Sequence, residues 1–279
     1  MPKISFMTLG CPTWDLETIC ARGRAYGFNG VDFRGYLDEI DITQLPEFTT
    51  GASETYRQLQ DADLAVSGIS SSIWVCVPEK FEKNLEEARR TIAVAKAFDA
   101  VNIRIFGGGD LEQYSREELA DIGCDCVSQI LQLDGARDLK WLFETHDNWV
   151  QAENSRLLLD SIPDPAFGAL WDMGHTWRAG REKPADSWAA IGSRVGYTHV
   201  KDALYEPDSP LAMADGWHYV APGTGELPLA ESLDLLKASG YDGWFVFEHE
   251  KRWHPNLADA EEIFPQFVSW INQKFSESD

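Results

Sequence analysis

Positive charge is scarce in this sequence. Its 279 residues hold 24 lysines and arginines against 46 aspartates and glutamates, a formal net charge of −22 at pH 7. A surface of that sign repels phosphate backbones, and no block of five or six basic residues offsets it. Nucleic acid is therefore excluded as an expected partner. Long apolar runs are missing too. No stretch of 18 apolar residues exists to cross a membrane, and the opening Met1-Pro2-Lys3-Ile4 lacks the apolar core of a secretion signal. Cysteines number five, at Cys11, Cys20, Cys76, Cys124 and Cys126, with no C-x-x-C pair for zinc or thioredoxin-like chemistry. Cys124 and Cys126 lie two apart in a helical stretch and so point to different faces. Reduced thiols in the cytoplasm are the expectation. The triplet Gly107-Gly108-Gly109 follows a strand but lacks the G-x-G-x-x-G spacing and helix start that cradle a dinucleotide. No Pro- or Ser-rich linker divides the chain, so residues 1–279 read as one domain.

What remains is an ordinary globular balance, 44% hydrophobic and 25% charged. Strand-length apolar runs recur at 4–9, 30–34, 65–71, 100–106, 140–145, 168–173, 195–200 and 243–248. Helical patterns fill the gaps at 15–26, 54–62, 81–98, 116–133, 155–162, 184–191, 229–238 and 260–275. The clearest is 81–98, where Leu85, Ala88, Ile92 and Ala95 form a 3.6-period stripe. Asp15 stands where a helix cap is needed, and Ser115 with Glu118 spells a capping box. Gly27, Gly240 and Gly243 punctuate the returns from helix to strand. Eight strands alternating with eight helices predict a single (β/α)8 TIM barrel, an α/β fold. Residues 203–228 form one long connection, expected to border the pocket and to close over a substrate.

Alternate residues of a barrel strand face inward. In Val101-Asn102-Ile103-Arg104-Ile105-Phe106 the β-branched residues must meet helices, which turns Asn102, Arg104 and Phe106 inward. The same parity turns Asp32 and Arg34, Glu144 and His146, Leu170 and Asp172, Tyr197 and His199, and Val246 and Glu248 inward. Glu144, Asp172, His199 and Glu248 thus gather near the C-terminal ends of four successive strands. Three buried carboxylates cannot all stay ionised without counter-charge. A divalent cation resolves that cost, and a mostly oxygen donor set suits manganese or magnesium, with cobalt or zinc as alternatives. The plainer alternative is that Arg34, Arg104 and Lys201 bridge these acids as barrel-end polar residues.

At this point a resemblance enters. Phe143-Glu144-Thr145-His146-Asp147, Asp172-Met173-Gly174-His175, His199-Val200-Lys201-Asp202 and Phe247-Glu248 match, in order and spacing, the later strands of the xylose-isomerase-like barrels. The chain resembles that superfamily, the sugar phosphate isomerase/epimerase group, across nearly its whole length. The turn Pro222-Gly223-Thr224-Gly225-Glu226 is similar to the group's glycine-rich approach to the seventh helix. The resemblance implies one divalent metal held by Glu144, Asp172, His199 and Glu248, with His175 on substrate. It also implies pairing of barrels into a homo-oligomer. Such a site suits proton transfer beside a carbonyl through an ene-diolate, with Glu144 and Glu248 as the catalytic pair. Isomerisation or epimerisation of a small polyhydroxylated carbonyl compound is the leading expectation. A dehydratase of the inosose or dehydroshikimate type and a non-catalytic sugar-binding barrel are the alternatives. His146, Arg34, Arg104, Arg178 and Lys201 are further candidates for substrate contact, each weighed against a charge-balancing role. Trp14, Trp74, Trp149, Trp177 and Trp253 follow strands, where aromatic walls shape sugar pockets.

Overall fold

The computed structural model describes residues 1–277. The barrel strands are β1 (Lys3–Met7), β2 (Gly30–Phe33), β3 (Ala65–Trp74), β4 (Asn102–Phe106), β5 (Lys140–Glu144), β6 (Phe167–Asp172), β7 (Val195–Val200) and β10 (Trp244–Phe247). A hairpin, β8 (Asp202–Tyr205) with β9 (Trp217–Val220), stands outside the ring. The helices are α1 (Leu16–Tyr26), α2 (Ala52–Asp61), α3 (Phe81–Ala97), α4 (Arg116–Ile130), α5 (Ala152–Ser161), α6 (Met173–Arg178), α7 (Pro184–Ile191), α8 (Leu229–Ala238) and α9 (Ala260–Ser276). All eight barrel pairings are parallel, and β10 closes onto β1, with Ile4 beside Phe245 and Phe6 beside Phe247. The expected (β/α)8 barrel is the observed fold.

Its layers follow from strand parity. Ile103 and Ile105 face the helices and are buried, while Arg104 between them faces the interior. The lower interior is an apolar plug of Met7, Leu9, Leu142, Leu170, Tyr197 and Val246. The charged side chains collect above it, at the C-terminal mouth. Outside the ring, Phe6, Phe247, Phe264 and Phe267 interlock between β1, β10 and α9, with Phe247 stacked on Phe267 at 4.6 Å. Such contacts add roughly 0.5–1.5 kcal/mol each beyond area burial, so Phe264→Ala would cost about 3–5 kcal/mol.

The local signals hold where they were specific. The Asp15 carboxylate accepts from the Thr18 amide at 2.9 Å, and Ser115 and Glu118 cap α4 reciprocally. Gly27 ends α1 in the left-handed region (φ 89°), where a Cβ is penalised. Three features depart from expectation. Strand β3 runs three residues beyond 71, because the serine run Ser70-Ser71-Ser72 is tied down by neighbouring side chains and carbonyls. The short helix α6 follows β6 directly. The connection 203–228 is not irregular throughout, since β8 and β9 pair antiparallel from Asp202–Val220 to Tyr205–Trp217. Among the tryptophans, Trp14 and Trp149 are buried packing residues. Trp14 packs against Phe264, and the Trp149 indole donates to the Gly108 carbonyl. All five cysteines are free.

Candidate active site

Strand ends deliver the acidic cluster. Glu144 ends β5, Asp172 ends β6, His199 is the fifth residue of β7, and Glu248 follows β10. Asp172 and His199 are register partners, as are His199 and Val246, so neighbouring strands present their side chains at one height. One ligand atom from each of the four lies within 4.8 Å of the others. His199 Nδ1 is 3.1 Å from Glu248 Oε2, 3.7 Å from Glu144 Oε1 and 3.8 Å from Asp172 Oδ2. His199 and Asp172 are fully shielded from solvent and Glu144 is 2% exposed. Asp172 Oδ2, Glu248 Oε2 and both His199 nitrogens are nevertheless left without a well-directed hydrogen-bond partner. Buried polar atoms are rarely left so. Four converging donors fit a divalent cation, and three of the four are hard oxygen ligands.

Lys201, one inward step beyond His199, supplies positive charge to the same acids. Its Nζ lies 2.6 Å from Glu248 Oε2, 2.9 Å from Asp172 Oδ2 and 3.0 Å from Glu250 Oε1. It gets there only because residue 174 is glycine, where a Cβ would stand 2.6 Å from Lys201 Cγ. Burial alone would neutralise these groups, but their neighbours outweigh it. The His175 and His199 imidazoles hold Glu144 well below the usual carboxylate range, and Lys201 with His199 does the same for Glu248. The Glu248 and Glu144 charges push His199 up to about 10. Asp172 and Glu248 push Lys201 above the ordinary lysine value. Glu250, against Lys201, falls to about 2.

Asp172 serves two neighbours. Its Oδ1 caps α6 by accepting the His175 amide at 2.7 Å, which leaves Oδ2 to the cluster. The cap fixes His175, whose Nδ1 is 3.3 Å from Asp172 Oδ2 and 3.5 Å from Glu144 Oε1; its Nε2 is 3.3 Å from Lys201 Nζ. The His146 ring meets His175 edge-on at 4.7 Å, and its Nδ1 pairs with Asp147 Oδ1 at 2.8 Å. Burial opposes the His146 charge, but Asp147 and Glu144 raise its pKa above the ordinary histidine value. Phe106 continues this wall, with Trp74 stacked on it at 4.6 Å.

Arg104 joins from β4, with Nε 3.5 Å from Glu144 Oε2. Arg34 stands farther round the mouth and bonds Ser72 Oγ at 2.8 Å. Arg178 lies one layer out. Its Nε pairs with Asp215 Oδ2 at 3.0 Å, and its guanidinium covers Tyr219 at 5.2 Å. Sequence reasoning had passed over three residues. Glu250 braces Lys201, and Tyr219 donates to Glu250 at 2.7 Å, which brings the hairpin to the border of the cluster. Continued parity from Glu248 would have found Glu250. Asp202 faces away from the cluster and accepts four backbone amides, from Ala203, Gly223, Gly225 and Leu227. A cleft of about 330 Å³ opens between 210–214 and 253–257, with Tyr219 at its floor.

The barrel has relatives. Residues 20–274 match the xylose isomerase-like TIM barrel family. The chain belongs to that family. Within it, the chain is 30% identical over 125 residues to inosose dehydratase 2 of Bacillus cereus, covering 42% of this chain and 41% of that protein. Against this and two further inosose dehydratases, from Lacticaseibacillus casei, the match spans 35% to 41% of the relative's length. The IOLI protein, solved with a zinc atom, superposes with a TM-score of 0.81 at 15% identity over 99% of this chain and 98% of its own. The probable 3-DHS dehydratase AsbF of Bacillus anthracis gives 0.75 at 19% identity over 97% and 98%. At these identities the likeness to solved structures is one of fold. Among the described residues no helix is long and apolar enough to cross a membrane.

Proposed function

We propose that this xylose isomerase-like barrel is a divalent-metal enzyme that moves a proton at the carbon beside a carbonyl of a small polyhydroxylated compound. The observation that carries the reading is the buried set Glu144, Asp172, His199 and Glu248, with one ligand atom from each converging within 4.8 Å of the others. Three carboxylates beside one imidazole favour manganese or magnesium, with cobalt or zinc able to use the same donors. When bound, the cation supplies Lewis-acid polarisation of the carbonyl.

The protein's own groups do the rest. Glu144 and Glu248 approach from β5 and β10 with depressed pKa values, so both are ionised at neutral pH, the form a general base requires. If the carbon next along carries a hydroxyl, C–H cleavage forms a C=C bond as that C–O bond breaks and water departs. The leaving hydroxyl needs a proton, and His175 with His146 at its edge are the imidazoles beside Glu144. Elimination is the outcome we favour, because the sequence relatives include inosose dehydratases. The second reading, isomerisation or epimerisation, rests on the same two carboxylates, one returning the proton the other removed. Residues 1–277 act as one domain in this proposal. The five free thiols support a cytoplasmic setting.

Turnover of inososes, dehydroshikimate and ketoses with deuterium in the substrate or in the solvent tests the reading. For elimination, a substrate deuterated at the carbonyl-adjacent carbon should release that label to water; for isomerisation or epimerisation, solvent deuterium should enter the product. Either way we expect a rate loss of about 10²–10⁴-fold for Glu144→Gln or Glu248→Gln. Elimination that keeps the substrate's label at that carbon, isomerised product without solvent deuterium, or turnover unaffected by both substitutions overturns the assignment.

A further inference from the structure

Away from the acidic cluster, two guanidiniums converge on one short stretch of β3. Arg34 Nη1 donates to Ser72 Oγ at 2.8 Å and reaches the Ser70 carbonyl at 3.4 Å. Arg104 Nη1 donates to the Ser71 carbonyl at 2.8 Å from the other side. Arg104 is 2% exposed; its guanidinium lies over the Phe106 ring at 3.9 Å, and its Nε is 3.5 Å from Glu144 Oε2 without a well-directed hydrogen bond. Arg34 is largely enclosed, yet among the described residues no carboxylate oxygen lies within 4 Å of it. A buried cation normally has a paired anion. Burial and the Arg104 charge depress the Arg34 pKa to about 9, which still leaves it charged at neutral pH. Glu87, the nearby acid on α3, accepts the Ser72 amide at 2.5 Å instead of pairing with Arg34.

We propose that Arg34, with Arg104 and the Ser72 hydroxyl, forms a subsite that selects substrates bearing a carboxylate over neutral polyols. This rests on the function proposed above, since Glu144 links Arg104 to the acidic cluster. A planar guanidinium fork beside a hydroxyl matches the two oxygens of a carboxylate. The same fork can take two oxygens of a phosphate, but a phosphate brings a third oxygen that needs a further donor. The Ser72 amide, the nearest on β3, is already spent on Glu87. The subsite therefore separates keto-acid rings from uncharged ketoses and inososes, which share the reacting carbonyl and its hydroxyls but offer these arginines no charge.

Calorimetric titration of the metal-loaded chain with quinate, its uncharged carboxamide and inositol 1-phosphate tests this without turnover. We expect quinate to bind roughly ten- to a hundredfold more tightly than the amide, the range for a charge-assisted hydrogen bond. Arg34→Gln should bring that ratio close to one, and Arg34→Lys should restore part of it. Equal affinities in the unaltered chain overturn the subsite, as does a ratio that survives Arg34→Gln. Tighter binding of the phosphate than of quinate overturns the carboxylate preference. Because the readout is a binding ratio, it stands even if no compound exchanges deuterium. Conversely, deuterium exchange alongside equal affinities sinks the subsite and leaves the proton-transfer reading intact.

Discussion

The two halves of the barrel mouth hold buried charge in opposite ways. From β5 round to β10, Glu144, Asp172, Glu248 and Glu250 crowd against His199 and Lys201, with ion pairs from 2.6 to 3.8 Å. From β2 to β4, Arg34 and Arg104 rest mainly on serine hydroxyls and carbonyls. In the first half every charge is held by another charge, so no member can be changed alone. In the second the arginines are positioned by neutral oxygens, and their charge is only partly neutralised. Structural cohesion and ligand selection have thus been divided between the two sides.

The sharpest way to break this contrast is to remove one cation from each half. Lys201→Met leaves Asp172, Glu248 and Glu250 without their shared partner, and should cost the metal-free protein about 3–5 kcal/mol in urea unfolding. Arg34→Met should cost clearly less, since it leaves hydroxyls and carbonyls behind. Equal losses would erase the distinction. The next effect concerns metal. His199→Ala or Asp172→Ala should weaken divalent binding by more than ~100-fold, beyond what losing a residue behind the ligands costs. Arg34→Gln should leave it nearly unchanged. Elemental analysis after dialysis against graded chelator reads both.

A smaller, continuous effect is the pH dependence of metal affinity. Without metal, His199 keeps its proton up to about 10, whereas a ligating imidazole must be neutral. Binding therefore expels one proton below that value. Affinity should rise about tenfold per pH unit between pH 7 and 9 and flatten above about 10. An affinity flat across pH 7–9 would remove His199 from the ligand set. The smallest effect belongs to the outer layer. The Arg178–Asp215 pair, with Asp215 40% exposed, is worth at most about 1 kcal/mol, so Arg178→Ala should shift KM by no more than about fivefold.

These contrasts also mark what the sequence could reveal. Parity along a strand depends on the strand alone, so Glu144, Asp172, His199 and Glu248 could be assigned to one interior from their own neighbours. Lys201 was legible by the same parity, but its hold on three acids was not, because Glu250 and the space left by Gly174 come from other elements. The hairpin escaped notice for a related reason. Its strands are separated by residues 206–216, far longer than the two-residue turns that announce a hairpin. Arg178 was weighed between a substrate contact and a charge-balancing role, and its partner Asp215, in the excursion between β8 and β9, could not be named from its own neighbours.

The four amides gathered by the Asp202 carboxylate have a consequence for how this barrel can diversify. Three of them, from Gly223, Gly225 and Leu227, fasten residues 223–227 to the start of β8, and the β8–β9 pairing fixes both ends of the excursion between the two strands. The closure cost of segment 206–216 is then set at its base. Lengthening it adds only about 0.6 kcal/mol per doubling of the loop. Insertions there can remodel what hangs over the mouth while the strand-end residues keep their positions, so lineages sharing this barrel can trade substrates by changing loop length without redesigning the interior.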